Sequence, residues 1–322
     1  MYKIYYNEVY NKNVKNEFLT RYKDNTATTY RRIFHKVSQM EDYFGKDLCN
    51  FNLDEIEWVM IDLTPITPAA SQSLFSVLLT YVDWAMENGY SNNSINPLRA
   101  VNTKWVTQFA DKYAKLYITG TELIEIEEMC ANYQDAVIFR LLFEGVGGET
   151  WSEIRNLTGD DIDVKNKTLY LRDKDNNTRV LEVSTRCIRY CQEALDEKEY
   201  FKKNGLMEEH VRIKNIAELV QNNYVVRNAI TKTHTFSDPV ADSTIYRRVH
   251  AIRDFYGVEY LTPKNVLISG VLYQAKMILE KQGTEGLLPL HYEEIANKFN
   301  IKTSTAKRYV TKENLKKLYN SI

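Results

Sequence analysis

The sequence predicts a mainly α-helical protein of two domains with one small β-hairpin. Three observations carry this. At 322 residues the chain has room for two domains, taking roughly 150 residues for each. Gly and Pro are scarce, 12 and 6, so few breaks are forced on the backbone. Apolar residues recur with the 3.6-residue period of a helix in several long stretches, and the strand signal is confined to one place. Hydrophobic residues make up 44% and aromatics 12%, enough for a sizeable core and unlike a disordered chain.

Residues 1–25 read as a Tyr- and Asn-rich arm. Asp24-Asn25-Thr26 offers N-caps, and an apolar stripe follows through Tyr30, Ile33, Phe34, Val37, Met40, Tyr43 and Phe44. Gly45 stops that helix, whose outer face carries Arg31, Arg32 and Lys36. A short helix begins near Leu53. Thr67-Pro68 opens a long one, with Pro at its first position; Leu74, Val77, Leu78, Tyr81, Val82, Trp84 and Ala85 face inward, and Asn88-Gly89 ends it. A small helix over 93–101 completes a helical domain spanning 26–103. Residues 104–118 read as a linker, 119–310 as a second domain and 311–322 as a short amphipathic tail built on Leu315, Leu318 and Ile322.

In the second domain Thr121 is expected to cap a helix through Leu123, Ile126 and Met129, and 134–143 forms another. A Gly-rich break, Phe143-Glu-Gly-Val-Gly-Gly-Glu-Thr-Trp-Ser-Glu-Ile154, precedes the next helix. Leu169-Tyr-Leu171 and Arg179-Val-Leu-Glu-Val183 flank Asp175-Asn-Asn, a hairpin signal. Helices resume at Thr185 and continue to Leu318. Near the end, Ile295, Ala296 and Phe299 form one short stripe and Ala306, Tyr309 and Val310 another. The turn between them begins at Asn300, a residue type that tolerates left-handed backbone. Read alone, this is the plan of a helix-turn-helix.

Net charge is −1, which does not mark a nucleic-acid binder, but its distribution is uneven. Residues 12–36 hold seven basic and two acidic side chains, and residues 297–322 hold seven basic and one acidic. No apolar run approaches the ~18 residues needed to span a bilayer, and the first residues lack a secretory apolar core. Cys49, Cys130, Cys187 and Cys191 lack metal or redox spacing, so a cytoplasmic protein with reduced thiols is expected. His35, His210, His234, His250 and His291 show no ligand spacing, and no metal or cofactor is expected.

Taken together, these segments resemble the tyrosine recombinase (phage integrase) family from about Thr26 to Tyr309. Thr28-x-Tyr30 and Leu78-Leu-Thr-Tyr-Val-Asp-Trp-Ala-Met-Glu-Asn-Gly-Tyr90, followed by Asn96-Pro97, resemble the family's core-binding domain. Ser152-Glu-Ile with Asp161-Ile-Asp163 resembles its first catalytic box, and Asp173 to Val183 its hairpin. Leu261-Thr-Pro-Lys-Asn-Val-Leu-Ile268 resembles the box that carries its second arginine, and Phe299-Asn-Ile with Arg308-Tyr309 the box that ends on its nucleophile. The order and spacing of all five carry the resemblance. It implies two helical domains that clamp a DNA duplex.

The same resemblance marks departures. The family holds a phosphate with two arginines, suited to charge developing on its oxygens. Here the first arginine position reads Gly147 or Thr150. In the second box Lys264 stands for a histidine and Leu267 for the arginine, and Ile301 takes the buttress position. Lys174 and Tyr309 match the family's lysine and nucleophile. Groups of this kind act as a unit, so the expectation is a protein that binds DNA without cutting it. Within the family this points to a prophage repressor on the nucleoid of a bacterial host. Two alternatives remain: an active recombinase using Tyr309, with Arg155, Lys264, Arg247, Arg248 or His291 standing in, or an accessory DNA-architectural protein. Expected DNA contacts are Arg31, Arg32, Lys36, Ser71, Ser73, Arg155, Lys174, Arg179, Arg247, Arg248, Lys264, Lys307, Arg308 and Tyr309. Self-association on DNA through the tail is a further expectation.

Overall fold

The computed structural model describes residues 9–110, 115–205, 215–230, 238–258, 260–283 and 286–319. Residues 1–8 of the arm, His210, His234 and the tail's Ile322 lie outside them. The chain divides into two units, Met1–Ala114 and Lys115–Ile322, each with its own apolar core.

The first unit holds α1 (Lys12–Leu19), α2 (Asp24–Phe44), α3 (Leu53–Asp62), α4 (Pro68–Glu87) and α5 (Thr103–Thr107). Its core joins Phe18 and Leu19 of α1 to Phe34 and Val37 of α2, Ile56 and Met60 of α3, and Leu78, Tyr81 and Ala85 of α4. Gly45 is left-handed, as a helix C-terminus requires. Thr67 caps α4 through the Ala70 N–H, with Pro68 behind it. The segment 93–101 contributes only a 3₁₀ turn at Pro97–Ala100, and α5 begins at Thr103 and runs into the stretch read as linker. Part of the expected arm is therefore α1, whose Phe18 is fully buried.

Lys15 is the least expected member of this unit. The sequence places it in a basic patch, yet it is 1% exposed. Its ammonium donates to the Tyr10 carbonyl at 2.9 Å, to Glu41 Oε1 at 2.5 Å and to Asp47 Oδ2 at 3.4 Å. The Phe34 and Tyr81 rings lie 5.7 and 5.6 Å away.

In the second unit α6 (Gly120–Glu128), α7 (Tyr133–Glu144) and α8 (Ser152–Asn156) lead into a three-stranded antiparallel sheet, order β1-β2-β3. Its strands are β1 (Ile162–Asp163), β2 (Thr168–Arg172) and β3 (Thr178–Glu182). The hairpin register pairs Leu171 with Arg179 and Leu169 with Leu181. Then come α9 (Thr185–Asp196), a second hairpin of β4 (Glu199–Phe201) and β5 (Ile216–Glu218), α10 (Asp242–Tyr256), α11 (Pro263–Gln282), α12 (Pro289–Phe299), α13 (Thr303–Tyr309) and α14 (Lys312–Tyr319). The β4–β5 hairpin breaks the continuous run of helices expected after Thr185. Thr119, not Thr121, caps α6, in a capping box with Glu122. Asn300 closes α12 with φ 49° and ψ 47°, the left-handed turn its residue type allows.

Helices α7 and α11 meet over one glycine. A Cβ at Gly270 would lie 1.9 Å from the Phe143 carbonyl oxygen. Backbone does not yield to that contact, so Gly270→Ala must move one helix. We expect a loss of about 1–3 kcal/mol, read from denaturant unfolding of the full chain.

Candidate nucleic-acid interface

Three of the positions singled out by the sequence come together around the start of α11. Thr262 caps this helix and Pro263 is its first residue, so Lys264 projects from its first turn. The Lys264 ammonium lies 6.0 Å from the centre of the Tyr309 ring, and the Arg308 guanidinium lies 4.8 Å from it. The Tyr309 hydroxyl accepts from Arg308 at 3.2 Å. Nearby, burial pushes the Tyr117 phenol up to about 12, with Tyr309 adding to the shift and Arg308 opposing it. One turn along α11, Leu267 is 7% exposed. A Cβ at Gly147 would meet its Cδ1 at 2.9 Å, so Leu267 fills the space a side chain at position 147 would need. Thr150 lies on an exposed turn, with its hydroxyl 3.4 Å from Arg155. Ile301 packs on the core.

Ion pairing separates the candidate cations. Arg179 is turned inward, which corrects its assignment to a groove or phosphate. Its Nε and one terminal nitrogen each bond Glu153 at 2.7 Å, and its terminal nitrogens also donate to the carbonyls of Lys298 at 2.8 Å and Gly145 at 2.7 Å. Glu153, 1% exposed, further accepts the Gly147 N–H at 2.8 Å and the Asn300 amide at 3.0 Å. Arg248 is corrected likewise. It is 6% exposed, donates to the carbonyls of Gln134 and Arg227, and lies 3.7 Å from Asp135. Ser71 is fully buried and donates to the Val106 carbonyl. His291, one of the expected stand-ins, is 3% exposed and accepts the Leu288 N–H at the start of α12.

The other candidates stay at the surface. Arg31, Arg32 and Lys36 share the exposed side of α2, and Ser73 is exposed on α4. Arg247, Lys264, Lys307 and Arg308 are exposed in the second unit. Among the described residues none of these seven cations has a carboxylate within ion-pair distance; Lys307 instead lies 5.9 Å from the Tyr292 ring. Arg155 is half-buried and donates to the Val240 carbonyl at 2.6 Å. Lys174 is exposed but paired with Glu149 at 2.6 Å. The sequence reading missed Glu153 as the group that gathers this end of the unit, and Arg227, which is buried and bonds the Ala194 and Glu197 carbonyls. Among the described residues no cluster of His, Cys, Asp and Glu is suited to a metal ion. No described helix is long and apolar enough to cross a membrane.

Residues 117–320 match the family described as MrpR, C-terminal catalytic domain, and residues 9–87 match MrpR, N-terminal core-binding domain. Over 323 residues the chain is 28% identical to the SPbeta prophage-derived uncharacterized protein YopR of Bacillus subtilis (strain 168), covering 97% of each. Among solved structures it is similar to a lambda integrase tetramer bound to a Holliday junction, with TM-score 0.51, 13% identity, and 94% of this chain and 77% of that chain covered. It is also similar to lambda integrase residues 75–356 bound to DNA, with TM-score 0.50, 12% identity, and 96% and 98% covered. At such identities the structural likeness speaks for the fold alone. The two domain matches together span most of the sequence, and the chain belongs to the MrpR family, with the mainly helical, two-domain fold of the tyrosine recombinases.

Proposed function

We propose that this chain is a sequence-specific double-stranded DNA-binding repressor that maintains a prophage in its host and holds DNA without cleaving it. The observation that carries this is that Leu267 fills the space a side chain at Gly147 would need, beside Lys264, Lys307 and Arg308, which have no carboxylate partner among the described residues. Such a surface attracts phosphate, and in this reading Gly147 and Leu267 stand where two arginines would stabilise a pentavalent one. The exposed cations of α2 supply a second basic face. Integrases of this fold bind DNA, and a prophage-derived relative supports the phage setting. The inward-facing Arg248 and His291 weigh against their use as replacement catalytic groups.

The test is a pair of measurements on the full chain. Selection from random duplexes should yield one preferred sequence, with affinity falling about 10³–10⁵-fold between 50 and 200 mM salt for 6–10 phosphate contacts. A nicked suicide duplex of that sequence should give no covalent adduct. An adduct that Tyr309→Phe abolishes would replace the reading with an active recombinase. Selection that yields no preferred sequence would favour an architectural protein. Tyr309→Phe itself should leave affinity within about twofold, since only the weak bond to Arg308 is lost. The tail's Leu315 is buried within its own unit, so sedimentation of the protein–DNA complex decides whether copies associate there.

A further inference from the structure

Among the described residues Glu149 is the one carboxylate paired with a candidate DNA-contacting lysine, and it is itself exposed. Its Oε2 lies 2.6 Å from the Lys174 ammonium, and the two side chains are 66% and 43% exposed. They come from separate elements, the turn before α8 and the β2–β3 loop. An exposed pair is usually weak because two mobile side chains must be ordered. Here both backbones are set in advance. Thr150 and Trp151 follow Glu149 with φ 53° and 60°, left-handed conformations that cost non-glycine residues free energy and persist only where the surroundings impose them. The Trp151 ring packs edge-on against Tyr246 at 5.8 Å, and the Trp151 backbone N–H donates to the Gly148 carbonyl at 3.2 Å. At Gly148, φ is 74° and a Cβ would meet Ser152 Oγ at 2.6 Å. On the other side the Asp173 carboxylate accepts the N–H groups of Asp175 and Asn177. A strained turn thus presents Glu149 to a fixed hairpin lysine.

Resting on the DNA-binding reading above, we propose that Glu149 is a built-in competitor for the phosphate that Lys174 contacts. In the free protein the carboxylate occupies the lysine. On a preferred duplex, where the remaining contacts fix the register, phosphate displaces it. On an arbitrary duplex those contacts are incomplete and the lysine stays with Glu149. The pair thereby lowers nonspecific affinity more than specific affinity, which is discrimination by a repulsive element.

A double-mutant cycle tests this, using a labelled duplex of scrambled sequence, about 30 base pairs, in about 0.1 M salt. Glu149→Gln should bind it about 5–10-fold tighter than wild type, with a salt slope steeper by about one contact. Lys174→Gln should weaken binding to the preferred duplex, where phosphate takes over the lysine, by more than it weakens binding to the scrambled one, where Glu149 keeps it. The double variant should return to within about twofold of wild type. Unchanged binding by Glu149→Gln overturns the proposal. So does a gain that survives in the double variant, which would mean that Glu149 acts by repulsion without holding Lys174. Failure of the DNA-binding reading looks different: wild type and Glu149→Gln then bind no duplex of any sequence. Both residues are exposed, and thermal melting confirms that each variant is folded.

Discussion

Arg179→Ala should destabilise the C-terminal unit by about 3–5 kcal/mol, the cost of leaving one partner of a buried ion pair unmatched. The arginine gives Glu153 two bonds and caps the carbonyls of Gly145 and Lys298. Its loss strands a carboxylate that is 1% exposed together with two backbone acceptors. For a unit of this size the melting temperature should fall by about 6–20 °C. Arg179→Lys should recover less than half of the loss, because one ammonium cannot span the carboxylate and both carbonyls. Unchanged melting with weakened DNA binding would return Arg179 to the surface list.

Lys15→Met should have an effect of similar size in the first unit, and one that depends on pH. Burial pushes the Glu41 carboxyl up to about 7 from its ordinary 4.5, with Lys15 only partly offsetting the shift. Burial also pushes Asp47 up, but Lys15 and the Cys49 N–H outweigh it and leave that carboxyl below its usual range. Without the lysine both carboxylates lose the one cation paired with them among the described residues, at a cost of about 3–5 kcal/mol near pH 8. The cost should shrink toward pH 5, where Glu41 takes up a proton. In the wild type, a carboxyl whose folded value lies above its unfolded one contributes stability that is complete below about 4.5 and is lost as pH rises through about 7. Glu41→Gln should therefore flatten the stability profile between those values and melt above the wild type at pH 8. It keeps the Oε1 that accepts from Leu48 and Lys15, and puts an amide where Oε2 has no partner. A steeper profile in the variant would show that Glu41 is charged throughout.

Helix ends and turns were legible because their causes are local. Gly45, Thr67-Pro68 and Asn300 each act within a few residues of themselves. The candidate interface was legible only in part, because a charged residue type invites a surface reading. The apolar period contained the answer. Arg179 shares the face of β3 with Leu181. Arg248 falls in the stripe of Ile245, Val249 and Ile252. Lys15 precedes Phe18 and Leu19 at helical spacing. In each case position in the stripe decided burial, and the partner carboxylate lay too far along the chain to be paired by inspection. The β4–β5 hairpin left no comparable signal, since each strand has only three residues.

The reach of Glu153 along the chain bears on the order of synthesis. Its bond to Asn300 spans 147 residues, and Arg179 reaches Lys298 across 119. The links of Lys15 to Glu41 and Asp47 span only 26 and 32. On a ribosome the first unit can close its core once residue 114 has emerged, whereas the second waits for α12. At 5–20 residues per second that interval is roughly 10–40 s. During it, Glu153 and Arg179 lack their C-terminal partners, and long-range contacts of this kind slow folding. A chain released before α12 should therefore carry a protease-resistant first unit joined to a protease-sensitive remainder.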